Sequence, residues 1–182
     1  MPDVIKAFKN FGGSVIDKFR PDSVEKIVKD FFKISRPTME EIKTLEDRAE
    51  KLKNPNDKTK AFLIATGFRY YVKDENDMNS MNFRDIIMAI RNISDMINDH
   101  DKKHADKWKK KGEEYFDHLY KRVEECKKEN NEAPLILEFG SLKEISNSTK
   151  TTYPGYATTI GYDASKTKEI MEFLKSLPDR KK

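Results

Sequence analysis

Three residues in the middle of this chain, His100, Asp101 and His104, are those best suited to metal-dependent chemistry. A His-Asp pair with a second histidine one helical turn away can help to hold a divalent ion, which activates water for hydrolysis. A complete site of this kind needs a further histidine upstream, and none precedes His100. His118 lies too far along the same predicted helix to share an ion with His100. We therefore expect a polar, solvent-facing helix start, and a metal-dependent hydrolase at these three residues is the weaker alternative.

Six lysines surround Trp108 in the run from Asp101 to Lys111: Lys102, Lys103, Lys107, Lys109, Lys110 and Lys111. A lysine-rich helix with an aromatic side chain can contact phosphate groups and stack on bases. However, Trp108 lies on a face that we expect to be buried, and the acidic residues that follow would repel a polyanion. The pattern favours a solvated, ion-paired face. A nucleic-acid-binding regulatory protein that uses residues 102–111 is the alternative.

Three tyrosines, Tyr153, Tyr156 and Tyr162, lie close together near the C-terminus. The segment Tyr153-Pro154-Gly155-Tyr156 has proline and glycine at the positions typical of a type II turn. Tyrosines on a rigid turn are typical of contact surfaces, because each ring combines an apolar face with a polar tip. We interpret these three residues as candidate partner contacts. The competing interpretation, a hairpin turn whose tyrosines cover the end of a helical bundle, stays open.

No segment of the chain carries a specific catalytic or cofactor motif. The pair Gly12-Gly13 lacks the lysine and the preceding strand of a phosphate-binding loop, so we interpret it as a hinge. Cys126 has no general base that the sequence can pair with it, and we expect a buried structural thiol. The sequence therefore predicts a protein that is not an enzyme, with no catalytic residue, metal or cofactor.

The element that must position the central residues is a long helix, predicted over residues 102–130. Seven positions follow a strict alternation of three and four residues, which places them along one seam of a helix. The rest of this helix is dense with charge, so it is stable only if the seam packs on a neighbour. Trp108 and Tyr115 on this seam are also candidate partner contacts. The seam consists of Ala105, Trp108, Gly112, Tyr115, Leu119, Arg122 and Cys126.

Apolar spacing and capping residues predict further helices before and after this one. Thr38 and Glu41 form a capping box, and Asp57 is expected to cap the helix that follows it. The helix over 82–99 has the narrowest apolar arc, formed by Phe83, Ile86, Ile90, Ile93 and Ile97. A polar loop is expected over 73–80. The helices cover about 22–34, 38–53, 58–72 and 82–99, with two short pieces over 2–19 and a last helix from Ser165, its cap, to about Leu177.

The composition changes at Ala133-Pro134, and two runs beyond it, 135–139 and 157–162, are extended in character. We therefore predict a mainly α fold. It is an irregular helical bundle of five to seven helices over residues 1–132. A small appendix over residues 133–182 packs on the same domain, with short extended segments, the Tyr-Pro-Gly-Tyr turn and the last helix.

Composition limits the role of the protein. The net charge of +4 is a weak excess for a general nucleic-acid binder. The single cysteine fits a reducing compartment, and no apolar run is long enough for a signal peptide or a membrane span. We expect a soluble, cytoplasmic, non-enzymatic protein that interacts with other proteins as a structural or accessory subunit of a larger intracellular assembly.

Overall fold

The structure, a computed structural model, describes residues 22–34, 37–129 and 152–176. Within these ranges the chain forms eight α-helices and no strand, which confirms the mainly α prediction. A π-helical turn and a 3-10 turn, Met96–His100 and Lys102–His104, join the fifth helix to the sixth. The helices are α1 (Val24–Phe31), α2 (Met39–Glu50), α3 (Pro55–Tyr71), α4 (Glu75–Ser80), α5 (Phe83–Asp95), α6 (Ala105–Glu129), α7 (Thr152–Ile160) and α8 (Ala164–Ser176).

The chain divides into two compact units, one that ends at Ala65 and one that begins at Thr66, so the division falls inside α3. The predicted domain boundary between residues 132 and 133 lies outside the described residues. The helical pieces predicted over residues 2–19 and the extended run over 135–139 also lie outside them.

The first unit contains α1 and α2, which pack on each other through their apolar faces. The capping box predicted for α2 is confirmed: the Glu41 amide lies 3.3 Å from Thr38 Oγ1, and the Thr38 amide donates to the Glu41 carboxylate at 2.6 Å. The cap of α3 is not Asp57 but Asn54, whose side chain accepts a hydrogen bond from the Asn56 amide at 2.8 Å. Pro55 then occupies the first helical turn, where its missing N–H costs nothing.

The second unit is organised around α6, which packs on α4, α5, α7 and α8. The apolar arc predicted for the preceding helix is confirmed, since all five of its members are buried. Their burial holds α5 against α6, because each isoleucine removed from water contributes about 1.5–3 kcal/mol. The last of the five, Ile97, falls in the π-helical turn rather than in α5.

The predicted seam of α6 is buried in the middle of the helix but partly exposed towards both ends. Trp108, Gly112, Tyr115 and Leu119 are buried, whereas the predicted seam residues Ala105, Arg122 and Cys126 are partly exposed. An α-helix has 3.6 residues per turn, so a 3.5-residue pattern drifts by roughly 20° per heptad along a straight helix. Val123 therefore takes the buried position expected for Arg122, and Phe116 joins the core beside Tyr115.

The described part of the C-terminal third is helical, so the extended run over 157–162 and the type II turn were wrong predictions. Ala157 and Ile160 are buried on the face of α7, and this packing overrides the strand preference of the β-branched residues. Gly161 ends α7 in the left-handed region, with φ +84°. The cap of α8 is Asp163, which accepts a hydrogen bond from the Lys166 amide at 2.8 Å, and not Ser165.

The polar loop predicted over 73–80 is also wrong, because residues 75–80 form the short helix α4. Asp74 and Asp77 form a reciprocal capping box, with distances of 2.9 and 3.2 Å between each carboxylate and the other residue's amide. Met78 anchors this helix in the core of the second unit. In the part of the chain that the structure covers, no helix combines the length and the apolar character that crossing a membrane requires.

Candidate functional site

The Asp101 carboxylate is fixed at the start of α6 by contacts with two neighbouring side chains. Its Oδ2 accepts a hydrogen bond from the Trp108 indole nitrogen at 2.9 Å, and its Oδ1 lies 3.0 Å from Nδ1 of His104. Asp101 is buried, and Trp108 has no exposed surface. The three side chains therefore connect the turn before α6 to the interior of the second unit.

The positions of His100, Asp101 and His104 can be compared with those that a metal-dependent hydrolase would need. The structure pairs Asp101 with His104 and Trp108 rather than with His100, the pairing that the hydrolase alternative supposed. The expected solvent-facing helix start was also wrong at Asp101, which is buried. Among residues 22–34, 37–129 and 152–176, no group of three His, Cys, Asp or Glu side chains is placed to hold a metal ion. The Asp101 carboxylate serves as a hydrogen-bond acceptor for the indole in this arrangement.

Trp108 and Tyr115, two of the candidate partner contacts, lie in the interior of the second unit. The Trp108 ring stacks on Phe68 at 5.8 Å between ring centroids and meets the ring of Tyr71 edge-on at 5.1 Å. Tyr115 donates a hydrogen bond to the Tyr70 carbonyl at 2.9 Å, and burial raises the pKa of its hydroxyl. Both side chains are 0% exposed. This corrects their assignment to a partner surface, because both rings are used inside the unit.

Of the six lysines near Trp108, one is buried, Lys109 is half-buried and the other four are exposed. Lys111 is 8% exposed, and its ammonium group donates to the Lys73 carbonyl and to Glu114, the latter at 2.7 Å. Its place on a solvated face was therefore a wrong prediction. Four exposed lysines, which we call the lysine stripe, occupy the turn before α6 and its first two turns: Lys102, Lys103, Lys107 and Lys110.

The lysine stripe is solvated, as predicted, but it is largely not ion-paired. Within the described ranges no carboxylate lies within 4 Å of the ammonium groups of Lys102, Lys103 or Lys110. Ion pairs of α6 occur further along the helix, at Lys111, Asp117 and Lys127. Three exposed ammonium groups, those of Lys102, Lys103 and Lys110, thus have no ion-pair partner among the described residues.

Tyr162 lies where α6 and α8 meet, and its hydroxyl donates a hydrogen bond to Asp117 at 2.8 Å. The Lys166 ammonium group donates to the same carboxylate oxygen at 2.9 Å. The Tyr162 ring stacks on Phe116 with 4.7 Å between centroids. Burial and the Asp117 carboxylate both raise the pKa of the Tyr162 hydroxyl, so it keeps its proton at neutral pH.

Tyr120 completes this surface, and no motif or spacing in the sequence pointed to it. Its hydroxyl donates to Glu169 on α8 at 3.0 Å, and the Lys166 ammonium group lies 5.4 Å from the centre of its ring. Lys166 also lies 5.7 Å from the centre of the Tyr162 ring. We call the set of Tyr120, Tyr162, Lys166, Asp117 and Glu169 the tyrosine–lysine patch.

Tyr153 and Tyr156 are the other two C-terminal tyrosines that were predicted to contact a partner. Tyr156 is half-buried on α7, and burial raises the pKa of its hydroxyl, on which the charges of Arg91 and Asp95 of α5 also act. The side chain of Tyr153 lies outside the described residues. The structure therefore supports only Tyr162 of the predicted set as a member of the patch.

A shallow cleft of about 230 Å³ adjoins the tyrosine–lysine patch and is lined by Glu113, Asp117, Gly161, Tyr162, Asp163 and Lys166. Pockets for drug-sized molecules measure about 300–1,000 Å³ and are mostly apolar. This cleft is smaller, and most of its lining residues are charged. Its form suits a contact with one side chain of a larger partner better than the enclosure of a small substrate.

Neither a model of a protein family, nor a curated protein, nor a solved structure matches this chain.

Proposed function

We propose that this protein is a non-enzymatic helical protein that binds another protein through the tyrosine–lysine patch, as an accessory subunit of a larger intracellular assembly. The observation that carries the proposal is that two half-exposed tyrosine rings are held in place by side-chain hydrogen bonds and share one lysine. Tyrosine is among the residues enriched at the centres of protein interfaces.

Pre-organisation supports this role for the patch. A contact residue that is already held in one orientation loses less conformational entropy on binding, so more of its contact energy appears as affinity. Tyr162 is held by Asp117 and Phe116, and Tyr120 is held by Glu169. The charged groups beside the rings can form the polar rim that surrounds most protein interfaces.

The internal contacts of the chemically versatile residues also support a non-enzymatic role. Asp101 and His104 are engaged at the start of α6, and the Tyr115 hydroxyl donates to a backbone carbonyl in the core. The Asp101 contacts fix the turn before α6, and the Tyr115 hydroxyl links α6 to α3. Their positions are accounted for by the packing of α6.

The experiment that tests the proposal is recovery of partners from the native source with the full chain as bait, followed by cross-linking and mass spectrometry. We expect one reproducible partner set with the wild type. Its recovery should fall about tenfold in the double variant Tyr120→Ala/Lys166→Ala, which corresponds to roughly 1.4 kcal/mol of binding energy. Lys168→Ala is the matched control, because Lys168 lies on the same helix with a side chain that is 76% exposed.

Two outcomes would contradict the proposal. One is that no partner is enriched over the bait-free control. The other is that the double variant recovers the same partners as efficiently as the wild type. Circular dichroism of the variants establishes that their helical content is unchanged.

The lysine stripe favours a second candidate function, the binding of nucleic acid by a regulatory protein. Three of its four ammonium groups are exposed without a nearby carboxylate, and the positive end of the α6 dipole lies among them. Trp108 is buried and cannot stack on a base. The stripe would therefore contact phosphate groups without reading the sequence.

Salt dependence tests this second candidate. Four phosphate contacts on a duplex give a slope of log K against log[salt] of about −3.6. The variant Lys103→Gln/Lys107→Gln/Lys110→Gln should lower this slope to about −0.9, whereas Lys168→Gln should not change it. Binding that is absent at low salt, or that persists unchanged in the triple variant, would exclude this candidate.

A further inference from the structure

A second cleft, of about 360 Å³, lies between α4 and α6. Its two buried lining residues, Met78 and His118, form the floor, since they are 4% and 8% exposed. The remaining lining residues are exposed and charged, and they form the rim: Glu75, Glu114, Asp117 and Lys121. This volume is within the range of about 300–1,000 Å³ for ligand sites, but the charged rim suits a charged ligand rather than a mostly apolar one.

The floor of this cleft contains an orphaned polar atom. His118 Nε2 is buried and has no hydrogen-bond partner, the one such side-chain atom found in the described part of the chain. At least roughly 90% of buried polar groups are hydrogen-bonded, because an unpaired one costs about 1–3 kcal/mol. A donor that enters the cleft from outside the chain would remove this cost.

The charge state of His118 suits it to accept a hydrogen bond. Desolvation lowers the pKa of its imidazole, and the nearby Arg122 and Lys121 act in the same direction, while Glu125 and Glu75 oppose them. The ring is therefore neutral at pH 7.5. With the proton on Nδ1, its Nε2 is an acceptor.

The rim favours a positively charged ligand. It carries three carboxylates against one ammonium group, so its formal charge is −2. Glu114 already pairs with Lys111, and Asp117 pairs with Lys166. Glu75 lies in the first turn of α4, is exposed, and is the rim carboxylate whose charge acts on His118.

We infer that the α4–α6 cleft binds an organic cation that donates hydrogen bonds, an alkylguanidinium or alkylammonium group. One N–H group of the cation donates a hydrogen bond to Nε2 of His118. The charge of the cation faces Glu75, and the alkyl part of the cation lies against Met78. Within the described ranges no three side chains are placed to coordinate a metal ion, so an organic cation fits the cleft better. The cleft shares Asp117 with the tyrosine–lysine patch, but the inference does not involve Tyr120 or Lys166, the residues changed in the test of the proposed function.

The test uses the full chain and the Cε1–Hε1 signals of its histidines in ¹H–¹³C NMR spectra at pH 7.5. The protein has three histidines, so His118→Gln assigns the signal of interest. Titration with ethylguanidinium chloride at constant ionic strength should shift the His118 signal saturably and leave those of His100 and His104 in place. Tetramethylammonium chloride, which carries the same charge without an N–H donor, should not shift it.

Variants of the rim give an independent measure. Glu75→Gln should weaken ethylguanidinium binding at least about threefold, whereas Glu113→Gln, an exposed acidic residue of α6 that does not line this cleft, should not. The inference is overturned if the His118 signal does not move, if tetramethylammonium moves it equally, or if Glu75→Gln has no effect. These results would leave the proposed function untouched.

A parallel titration distinguishes the two sources of such a cation. If a blocked peptide that contains one arginine binds about tenfold more tightly than ethylguanidinium, which is roughly 1.4 kcal/mol, the natural ligand is a basic side chain of a partner protein. If the two bind equally, the natural ligand is a small free amine or guanidine. Either result supports the site.

Discussion

Gly112 and Ile160 are in such close contact that a Cβ atom added to Gly112 would lie 2.7 Å from Cδ1 of Ile160. The same Cβ would lie 2.9 Å from Cγ1 and 3.0 Å from Cγ2. Ile160 is 1% exposed, so its side chain has little room to move away. The absence of a side chain at position 112 therefore allows α7 to pack closely against α6.

Gly112→Ala should destabilise the protein by about 1–3 kcal/mol, the usual cost of overpacking a core. This cost exceeds the roughly 0.5–1 kcal/mol by which alanine is favoured over glycine in a helix. Gly155→Ala is the matched control, because Gly155 is also helical and no atom lies within 4 Å of its added Cβ. Urea denaturation followed by circular dichroism measures both.

The double variant Gly112→Ala/Ile160→Val should recover part of the stability lost in Gly112→Ala, because it removes the methyl group nearest to the new Cβ. A Gly112→Ala protein that is as stable as the wild type would show that α7 does not pack on α6 at this position.

Gly67→Ala should cost less than Gly112→Ala, less than about 1 kcal/mol. The added Cβ would lie 2.9 Å from Cγ and from Sδ of Met96, and 3.4 Å from the Trp108 ring. Methionine is unbranched and adapts its rotamer more easily than isoleucine does. The same denaturation experiment ranks the two glycine variants, and a larger cost for Gly67→Ala would contradict this explanation.

Asp101→Ala should destabilise the second unit by about 1–3 kcal/mol, because it leaves the buried indole N–H of Trp108 without an acceptor. Asp101→Asn keeps an acceptor oxygen and should cost less. If Asp101 instead served a metal ion, a chelator would destabilise the wild type as much as these substitutions do. We expect the urea midpoint of the wild type to be the same with and without a chelator.

Arg48 links α1 and α2, since its guanidinium group donates two hydrogen bonds to Asp22, at 2.6 and 3.0 Å, and one to Asp30 at 2.9 Å. The hydrogen bond from Arg48 holds the pKa of Asp22 below its ordinary value of 3.8. The carboxylate therefore contributes stability that is fully present above pH 3.8. This contribution is lost as the pH falls further, through the pKa of the folded state.

Arg48→Gln should lower the free energy of unfolding by about 1–3 kcal/mol at pH 7. The difference from the wild type should stay constant down to about pH 5 and shrink below pH 3.8. Denaturation at a series of pH values measures it, with Lys51→Gln, an exposed lysine just after α2, as the control. A difference that is independent of pH down to pH 3 would show that Arg48 does not act through Asp22.

The helices of this chain could be predicted where apolar spacing and capping residues agree. α1, α2 and α5 have apolar faces that follow the helical period, and Thr38 identified the start of α2. α7 could not be predicted in this way, because its Thr-Thr-Ile run prefers strands in isolation. It is helical where Ala157 and Ile160 pack in the second unit, and this packing is a tertiary effect.

The candidate site was predictable only in part for a related reason. The concentration of tyrosines pointed to Tyr162, but its partners Asp117 and Lys166 are brought to it by the packing of α8 on α6. Tyr120 is adjacent to the seam residue Leu119 and was not a candidate, because no sequence signal places Glu169 beside it. The seam correctly predicted that Trp108 is buried. The further prediction that Trp108 contacts a partner did not follow from the seam.

Trp108 gives the most direct test of the central claim, that α6 is held in place by the burial of its Trp-Tyr-Leu face. It is the only tryptophan of the chain, and it has no exposed surface. Fluorescence of the native protein should be blue-shifted from that of free tryptophan and several-fold less sensitive to iodide than in the urea-unfolded protein. A native emission maximum and iodide sensitivity equal to those of the unfolded chain would contradict the claim.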